Sequence, residues 1–409
     1  MQTNLADFIR DTPEGKEADA ILRKCVHCGF CNATCPTYQL LGDELDGPRG
    51  RIYLIKQVLE GAEVTAKTQL HLDRCLTCRN CETTCPSGVE YGHLVDIGRG
   101  IVEERVGRPL AERAARRAIS ALFPRPGIFG LLTTAGMAMR PLVPKALAGK
   151  LPADISAPGV WPAPRHVRRM VALAGCVQPV LTPDTNAAAA RVLDRLGISL
   201  VEAPGAGCCG ALRFHLNYQE EGRDDMRRLI DAWWPLVEQG AEALVMTASG
   251  CGATVREYAH HLARDPHYAE KAARISAITR DLAEVVAGET DRLAPLLRPS
   301  SRRRAAFHPP CTLQHWQQLK GVTEDVLARL GYDLVAVPDT HLCCGAAGTY
   351  AITQPELSER LKKNKLAALQ SGLPEVILTS NVGCQTHLAA GASVPVRHWI
   401  ADLGARLAT

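Results

Sequence analysis

Eight cysteines near the start of the chain constrain it more than any other feature. Cys25, Cys28, Cys31 and Cys35 are separated by two, two and three residues and followed by Pro36, and Cys75, Cys78, Cys81 and Cys85 repeat the pattern before Pro86. Three cysteines this close wrap a tight loop with their thiolates turned to one centre, matching three corners of a cube of iron and sulfide. A fourth donor has to come from elsewhere, and the proline after the fourth cysteine turns the chain away without an amide that needs a partner. Paired Cys-x2-Cys elements also build tetrahedral zinc sites, but four cysteines at this spacing, closed by proline and present twice, suit zinc poorly. Disulfides suit the pattern less, because the first 24 residues are polar and charged with no apolar leader, and sixteen thiols then point to metal ligation in a reducing, cytoplasmic setting.

Each run is the ligand pattern of a bacterial two-cluster ferredoxin, in which the last cysteine of one run serves the other cluster. The expectation is two [4Fe-4S] clusters, one on Cys25, Cys28, Cys31 and Cys85, the other on Cys75, Cys78, Cys81 and Cys35. Such clusters carry net negative charge, so Lys24, Arg49, Arg51, Arg74 and Arg79 are candidates for tuning or docking. His27 lies between two ligands, but a cubane needs no imidazole, and it is left out of the site.

The other eight cysteines form two sets that are copies of one another. Cys176 precedes Cys208 by 32 positions, and Cys311 precedes Cys343 by the same number. Each second element reads Cys-Cys-Gly, at Cys208-Cys209-Gly210 and Cys343-Cys344-Gly345, and each set closes with one further cysteine, Cys251 or Cys384. Between them Val192-Leu193-Asp194-Arg195-Leu196-Gly197 is echoed by Val326-Leu327-Ala328-Arg329-Leu330-Gly331. Duplication explains this better than chance. Short apolar runs alternating with segments of helical period predict parallel strands joined by crossover helices, at residues 170–174, 198–203 and 243–247, then 304–307, 332–337 and 375–379. Every cysteine element falls just past the carboxyl end of a strand, where α/β sheets gather ligands. The layout is therefore a multidomain α+β and α/β chain: a helical two-cluster domain over residues 1–100, a helical connector and Pro-rich linker over 101–168, and tandem α/β Cys-Cys-Gly domains over 169–300 and 301–409. The connector opens with a helix over 101–122.

Gly205-Ala206-Gly207-Cys208-Cys209-Gly210 matches the G-x-G-x-x-G pattern of dinucleotide sites. The second copy, Thr340-His341-Leu342-Cys343-Cys344-Gly345, keeps Cys-Cys-Gly and loses the first two glycines, so no flavin or NAD is expected on this chain. A formal net charge of +4 over 409 residues gives no case for nucleic acid, and Arg302, Arg303 and Arg304 read as a solvated face. No stretch reaches the roughly 18 apolar residues of a membrane span. Residues 127–139, downstream of Arg113, Arg116 and Arg117, suit a buried core helix, the alternatives being peripheral contact with a membrane surface or with a partner protein.

The arrangement resembles the cysteine-rich Cys-Cys-Gly domains found in heterodisulfide reductases and in the iron-sulfur subunits of several respiratory dehydrogenases. Two ferredoxin runs followed by two such domains, with Gly47-Pro48-Arg49-Gly50-Arg51 and Ser249-Gly250-Cys251-Gly252, are similar to the iron-sulfur subunits of glycolate oxidases over nearly the whole chain. The resemblance implies an electron-transfer subunit that catalyses nothing itself, works with FAD-containing subunits that oxidise glycolate, and passes electrons toward quinone. The iron-sulfur subunit of anaerobic glycerol-3-phosphate dehydrogenase and a heterodisulfide-reductase-like enzyme are the alternatives. The reductase-type pattern closes with Cys-x-x-Cys, whereas Cys251 and Cys384 each stand alone, which puts a five-thiolate catalytic cluster in doubt. Two readings of these cysteines stand. Cys176, Cys208, Cys209 and Cys251, or Cys311, Cys343, Cys344 and Cys384, or both sets, hold a further cluster or zinc, with His387 as a candidate imidazole; or they are reduced thiols packed as small apolar groups.

Overall fold

The computed structural model describes residues 1–142, 151–152, 154–298 and 303–408. Arg302, and with it the start of the second cysteine-rich segment at residue 301, lies outside them. The N-terminal part is helical. Thr12 caps the helix Pro13–Lys24, its hydroxyl accepting from the Gly15 amide at 3.0 Å with Pro13 in the first turn. This helix packs with Pro48–Leu59 and Tyr91–Val106 around Leu22, Ile55, Leu59, Leu94 and Val95, all buried. The two cysteine runs hang on this core as loops.

A parallel four-stranded sheet follows in each cysteine-rich copy. The first has the order β2-β1-β3-β4, with β1 Arg168–Ala172, β2 Ile198–Glu202, β3 Leu244–Met246 and β4 Thr279–Asp281. The second has the order β6-β5-β7-β8, with β5 Arg303–His308, β6 Tyr332–Leu334, β7 Val376–Thr379 and β8 Val396–His398. All six strands expected from the apolar runs are present within a few residues of their expected ends, and β4 and β8 are additional. In each sheet the chain leaves the first strand for one neighbour and then crosses to the other side. The crevice at that switch point lies between β1 and β3, or β5 and β7, and Cys176 and Cys251, or Cys311 and Cys384, follow those strands.

The two copies are not separate bodies, because one hydrophobic core runs through both. Ala188, Val192, Leu282 and Val286 of the first share it with Val326, Leu327, Trp399 and Leu403 of the second. The helix after β1, Asp184–Arg195, packs on the helix after β8, Trp399–Gly404; reciprocally, the helix after β4, Leu282–Ala287, packs on the helix after β5, Val322–Arg329. This is the pairing of a two-fold interface, made here by a duplicated chain folding onto itself.

Three expectations are corrected. The helix expected over 101–122 is two helices, Tyr91–Val106 and Leu110–Leu122, broken where Gly107 turns with φ +70 and Pro109 follows. The apolar stretch 127–139 is the helix Pro126–Ala138, but it is not a core helix: only Thr133 is buried, and Leu131 is 71% exposed. The Arg303 part of the expected solvated face is pinned, because its guanidinium pairs with the buried Asp402 carboxylate, whereas Arg304 is exposed. Among the described residues no helix is long and apolar enough to cross a membrane.

Candidate metal centres

Both cysteine runs take the same backbone path. In the first, His27 and Gly29 lie in the left-handed region at φ +60 and +86; in the second, Thr77 and Arg79 do so at +49 and +56. Left-handed residues at alternate positions curl the loop and turn successive amides inward, the geometry that cradles anions. A β-branched threonine and an arginine in this region cost about 1–3 kcal/mol each. Short helical turns, Phe30–Ala33 and Asn80–Thr83, then carry Cys31 and Cys81, and Pro36 opens the helix Pro36–Leu41.

Two cysteine-lined recesses result. One is bordered by Cys25, Cys28, Cys31 and Cys85, the other by Cys35, Cys75 and Cys78, and Cys81 lies on the wall of both. The last cysteine of each run has therefore crossed to the other run's recess. Four thiols are the donor set of a [4Fe-4S] cube, and each recess has at least that number. The Thr77 amide and the Tyr91 hydroxyl donate to Cys75 Sγ at 3.4 and 3.5 Å, as hydrogen bonds to a cluster thiolate would. Burial raises the Cys31 thiol to about 11, with the neighbouring Cys25 adding to it, and raises Cys78 and Cys81 well above the ordinary thiol range. These thiols hold their protons until a metal displaces them.

The two recesses differ in surroundings. The first opens outward: Cys28 and His27 are exposed, with Val26 and Phe30 more than half exposed beside them. The second is enclosed by cations. Arg51 is fully buried, donating to the His71 carbonyl at 2.7 Å and pairing with the buried Asp46, which also holds Arg74 at 2.8 Å. Arg99, which no motif in the sequence singles out, donates to the Cys75 carbonyl at 2.7 Å. Arg79 is buried between Glu257 and the Trp316 ring, 3.7 Å from its centroid. Lys24 and Arg49 make surface pairs with Glu90 and Glu44.

In the duplicated part the four thiols of each copy converge at the strand ends, neighbouring one another in series from Cys176 through Cys208 and Cys209 to Cys251, and from Cys311 through Cys343 and Cys344 to Cys384. The glycine of each Cys-Cys-Gly has a backbone reason. Gly210 and Gly345 have φ +87 and +90, and a Cβ there would stand 2.5 Å from the Gly222 carbonyl oxygen or 2.6 Å from that of Ser358, each on a packed helix. Their amides donate to Cys208 Sγ and Cys343 Sγ at 3.4 Å. The G-x-G-x-x-G match thus reflects a thiol-bearing turn. The imidazole beside Cys344 and Cys384 is His308, one ring nitrogen and the two sulfurs lying within 4.8 Å of one another. His387, the imidazole suggested by the Cys384-Gln385-Thr386-His387 spacing, instead meets the Ser358 hydroxyl at 3.3 Å.

The second run also touches the second copy. Cys78 shares an apolar cluster with Leu76, Cys311 and Cys343, the Asn80 side chain donates to the His341 carbonyl at 3.1 Å, and Trp316 donates to the Thr77 carbonyl at 3.0 Å.

Comparison with known proteins agrees with this construction. Residues 21–89 match the family described as 4Fe-4S dicluster domain, and residues 170–256 and 305–389 each match that described as Cysteine-rich domain. The chain is 59% identical over 402 residues to the glycolate oxidase iron-sulfur subunit of Escherichia coli strain K12, covering 98% of each chain. It is 30% identical over 398 residues to a probable glycolate oxidase iron-sulfur subunit of Bacillus subtilis strain 168, covering 90% of this chain and 89% of that one. Lactate utilization protein A of Bacillus velezensis is 29% identical over 216 residues, which is 51% of this chain and 85% of that protein. With a dicluster segment, two cysteine-rich copies and this identity over nearly its full length, the chain belongs to the family of glycolate oxidase iron-sulfur subunits.

Proposed function

We propose that this chain is the electron-relay subunit of a flavin-dependent glycolate dehydrogenase complex, and that it performs no substrate chemistry itself. The carrying observation is the pair of recesses that share Cys81, one bordered by five thiols and the other by four. In this reading Cys25, Cys28, Cys31 and Cys85 hold one [4Fe-4S] cluster, and Cys75, Cys78, Cys81 and Cys35 hold the other. When bound, such clusters pass single electrons at potentials set by charge, hydrogen bonds and solvent exposure.

The chain's own residues supply those three influences. Buried Arg51 and Arg99, with Arg74 beside them, offset the negative charge of the second thiolate set, and Leu76 and Tyr91 keep water from it. Exposed Cys28, flanked by Val26 and Phe30, gives the first set an edge that a partner can approach. Substrate oxidation is assigned to FAD-containing partner subunits, and electrons leave toward quinone at the cytoplasmic face of the membrane. The exposed apolar helix Pro126–Ala138 supports a peripheral contact there or with a partner. Residues 1–100 are the relay domain in this scheme, 101–168 the connector, and 169–300 and 301–409 the paired cysteine-rich domains.

The test is anaerobic purification of the intact complex with iron, sulfide and flavin analysis. About eight iron atoms per chain or more are expected, together with copurifying FAD subunits and dye reduction driven by glycolate. Zinc without inorganic sulfide would overturn the relay. Reduction by glycerol 3-phosphate alone would overturn the substrate assignment.

A further inference from the structure

The two cysteine-rich copies carry the same four thiols in different surroundings, and the difference lies in buried polar groups. In the second copy His308, the last residue of β5, is fully buried and neither ring nitrogen has a hydrogen-bond partner. A buried polar group left without a partner is destabilising. Its ring nevertheless faces Cys344 and Cys384. Lys365 is buried nearby, donates to the Asp339 carbonyl at 2.7 Å, and places its positive charge in electrostatic reach of Cys311, Cys344 and Cys343.

The first copy has neither group. Sheet register puts His308 opposite Thr379, and one step past the Ala172–Val245 pair the equivalent residue is Leu173. Counting along the packed helix from Ser358, whose carbonyl faces Gly345, reaches Lys365 after seven residues; the same count from Gly222, which faces Gly210, reaches Leu229. Both leucines are buried. The charged group nearest in effect to Cys176 is the Asp225 carboxylate, which is itself paired with Arg213 at 2.8 Å and with Arg228, so among the described residues no free cation takes the place of Lys365 there.

We infer that the second copy, and not the first, holds a third metal centre: an iron-sulfur cluster with His308 as a nitrogen ligand beside Cys344 and Cys384, Cys311 and Cys343 completing the donors. The inference rests on the chain being an electron carrier. A [4Fe-4S] cube takes four of these five donors, with His308 in place of one of the two thiols Cys311 and Cys343. The imidazole binds neutral, each thiol gives up its proton to solvent on binding, and the ammonium of Lys365 offsets the resulting negative charge. A nitrogen ligand in place of a thiolate raises a cluster's potential. Cys78 packs against Cys311 and Cys343, so this centre adjoins the second N-terminal cluster and is a natural next stop for its electron.

The experiment uses the full chain purified without oxygen, with iron and sulfide counts and pulsed electron paramagnetic resonance. Wild type is expected to hold about four iron atoms beyond the eight or so of the N-terminal cubanes, and to show nitrogen hyperfine coupling. His308→Leu, the residue type the first copy uses, should lose that extra iron and the coupling while both N-terminal signals persist. His308→Cys should keep the iron and lose the coupling, which separates ligation from folding. Cys251→Ser should change neither. Absence of nitrogen coupling, zinc at the site, unchanged iron in His308→Leu, or equal iron loss in Cys251→Ser would each overturn the inference. N-terminal signals missing from wild type would instead sink the electron-carrier reading.

Discussion

Replacing Arg79 by methionine should weaken the seating of the N-terminal helices on the cysteine-rich copies by about 3 kcal/mol, the low end for breaking one side of a buried ion pair. Arg79 is 7% exposed; its two terminal nitrogens grip both oxygens of Glu257, and its face lies over Trp316. Methionine keeps much of the apolar stem but leaves Glu257 with two imidazoles, His93 at 3.3 Å and His261 at 3.9 Å, in place of a guanidinium. Burial pushes the Glu257 carboxyl up, but His93 and Arg79 together hold it well below the usual carboxylate range, so losing one of them strands a charge. A loss of about 3 kcal/mol raises the population of the undocked form on the order of a hundredfold, which native-state hydrogen exchange reads in the amides of Asn80–Thr83 and Ser249–Arg256. The double variant with Glu257→Gln removes both charges and should exchange much more slowly than the sum of the single effects predicts. Exchange within about threefold of wild type in Arg79→Met, or full additivity in the double variant, would refute this coupling.

Other outcomes follow from the same geometry. Cys78→Ser should abolish electron delivery to an added acceptor while flavin reduction by glycolate in the complex continues; loss of flavin reduction too would mean that the cluster region also shapes the catalytic subunit. Gly345→Ala forces a Cβ onto the Ser358 carbonyl at φ +90 and should destabilise the second copy by about 2–4 kcal/mol, from the left-handed backbone and overpacking together; a melting temperature within about 2 °C of wild type would contradict this. His398 is neutral in the fold, donating from Nε2 to the Thr247 carbonyl at 2.7 Å and accepting the Ile400 amide at 3.2 Å, and burial holds it down at about 4. The unfolded chain, near the ordinary value of about 6.5, takes up the proton first. Its contribution is therefore complete above pH about 6.5 and is lost as pH falls toward about 4, by up to about 3 kcal/mol. Melting temperatures of wild type and His398→Gln between about pH 7 and pH 5 check it: a slope no steeper in wild type would count against the assignment.

Spacing made the cysteine chemistry legible, because ligand runs, duplication and strand-end placement are local or periodic properties. Six strands could be read for the same reason. Strands β4 and β8 lack an apolar run, and Thr279-Arg280-Asp281 and Val396-Arg397-His398 become strands only through pairing with β3 and β7. His308 was illegible for a different reason. In Phe307-His308-Pro309-Pro310-Cys311 it reads as the polar end of a strand, and only the packed structure buries its ring against cysteines 36 and 76 positions away. Arg51 likewise sits on an ordinary amphipathic helix in sequence, and its burial depends on Asp46 and the His71 carbonyl. The break at Gly107 and Pro109 was written in the sequence and outweighed by the apolar period on either side of it.

The proposed relay needs an edge that a partner can reach and an interior that keeps water and oxygen away, and the burial of the thiols is graded in that sense. Cys28 is exposed, Cys31 and Cys85 are partly covered, and all four thiols of the second cysteine-rich copy are buried. Along that gradient each set adjoins the next: Cys81 borders both N-terminal recesses, and Cys78 packs on Cys311 and Cys343. The cations follow the same order, with Arg49 and Lys24 paired at the surface, Arg51 and Arg99 buried at the second recess, and Lys365 buried beyond it. Positive charge in a drier setting stabilises the reduced, more negative state of a cluster more strongly, so in the proposed relay these cations would favour passage of an electron from the Cys28 edge inward. In the proposed relay the first cysteine-rich copy, with leucines at the equivalent positions, lies off this line, and it packs on the second through their shared core.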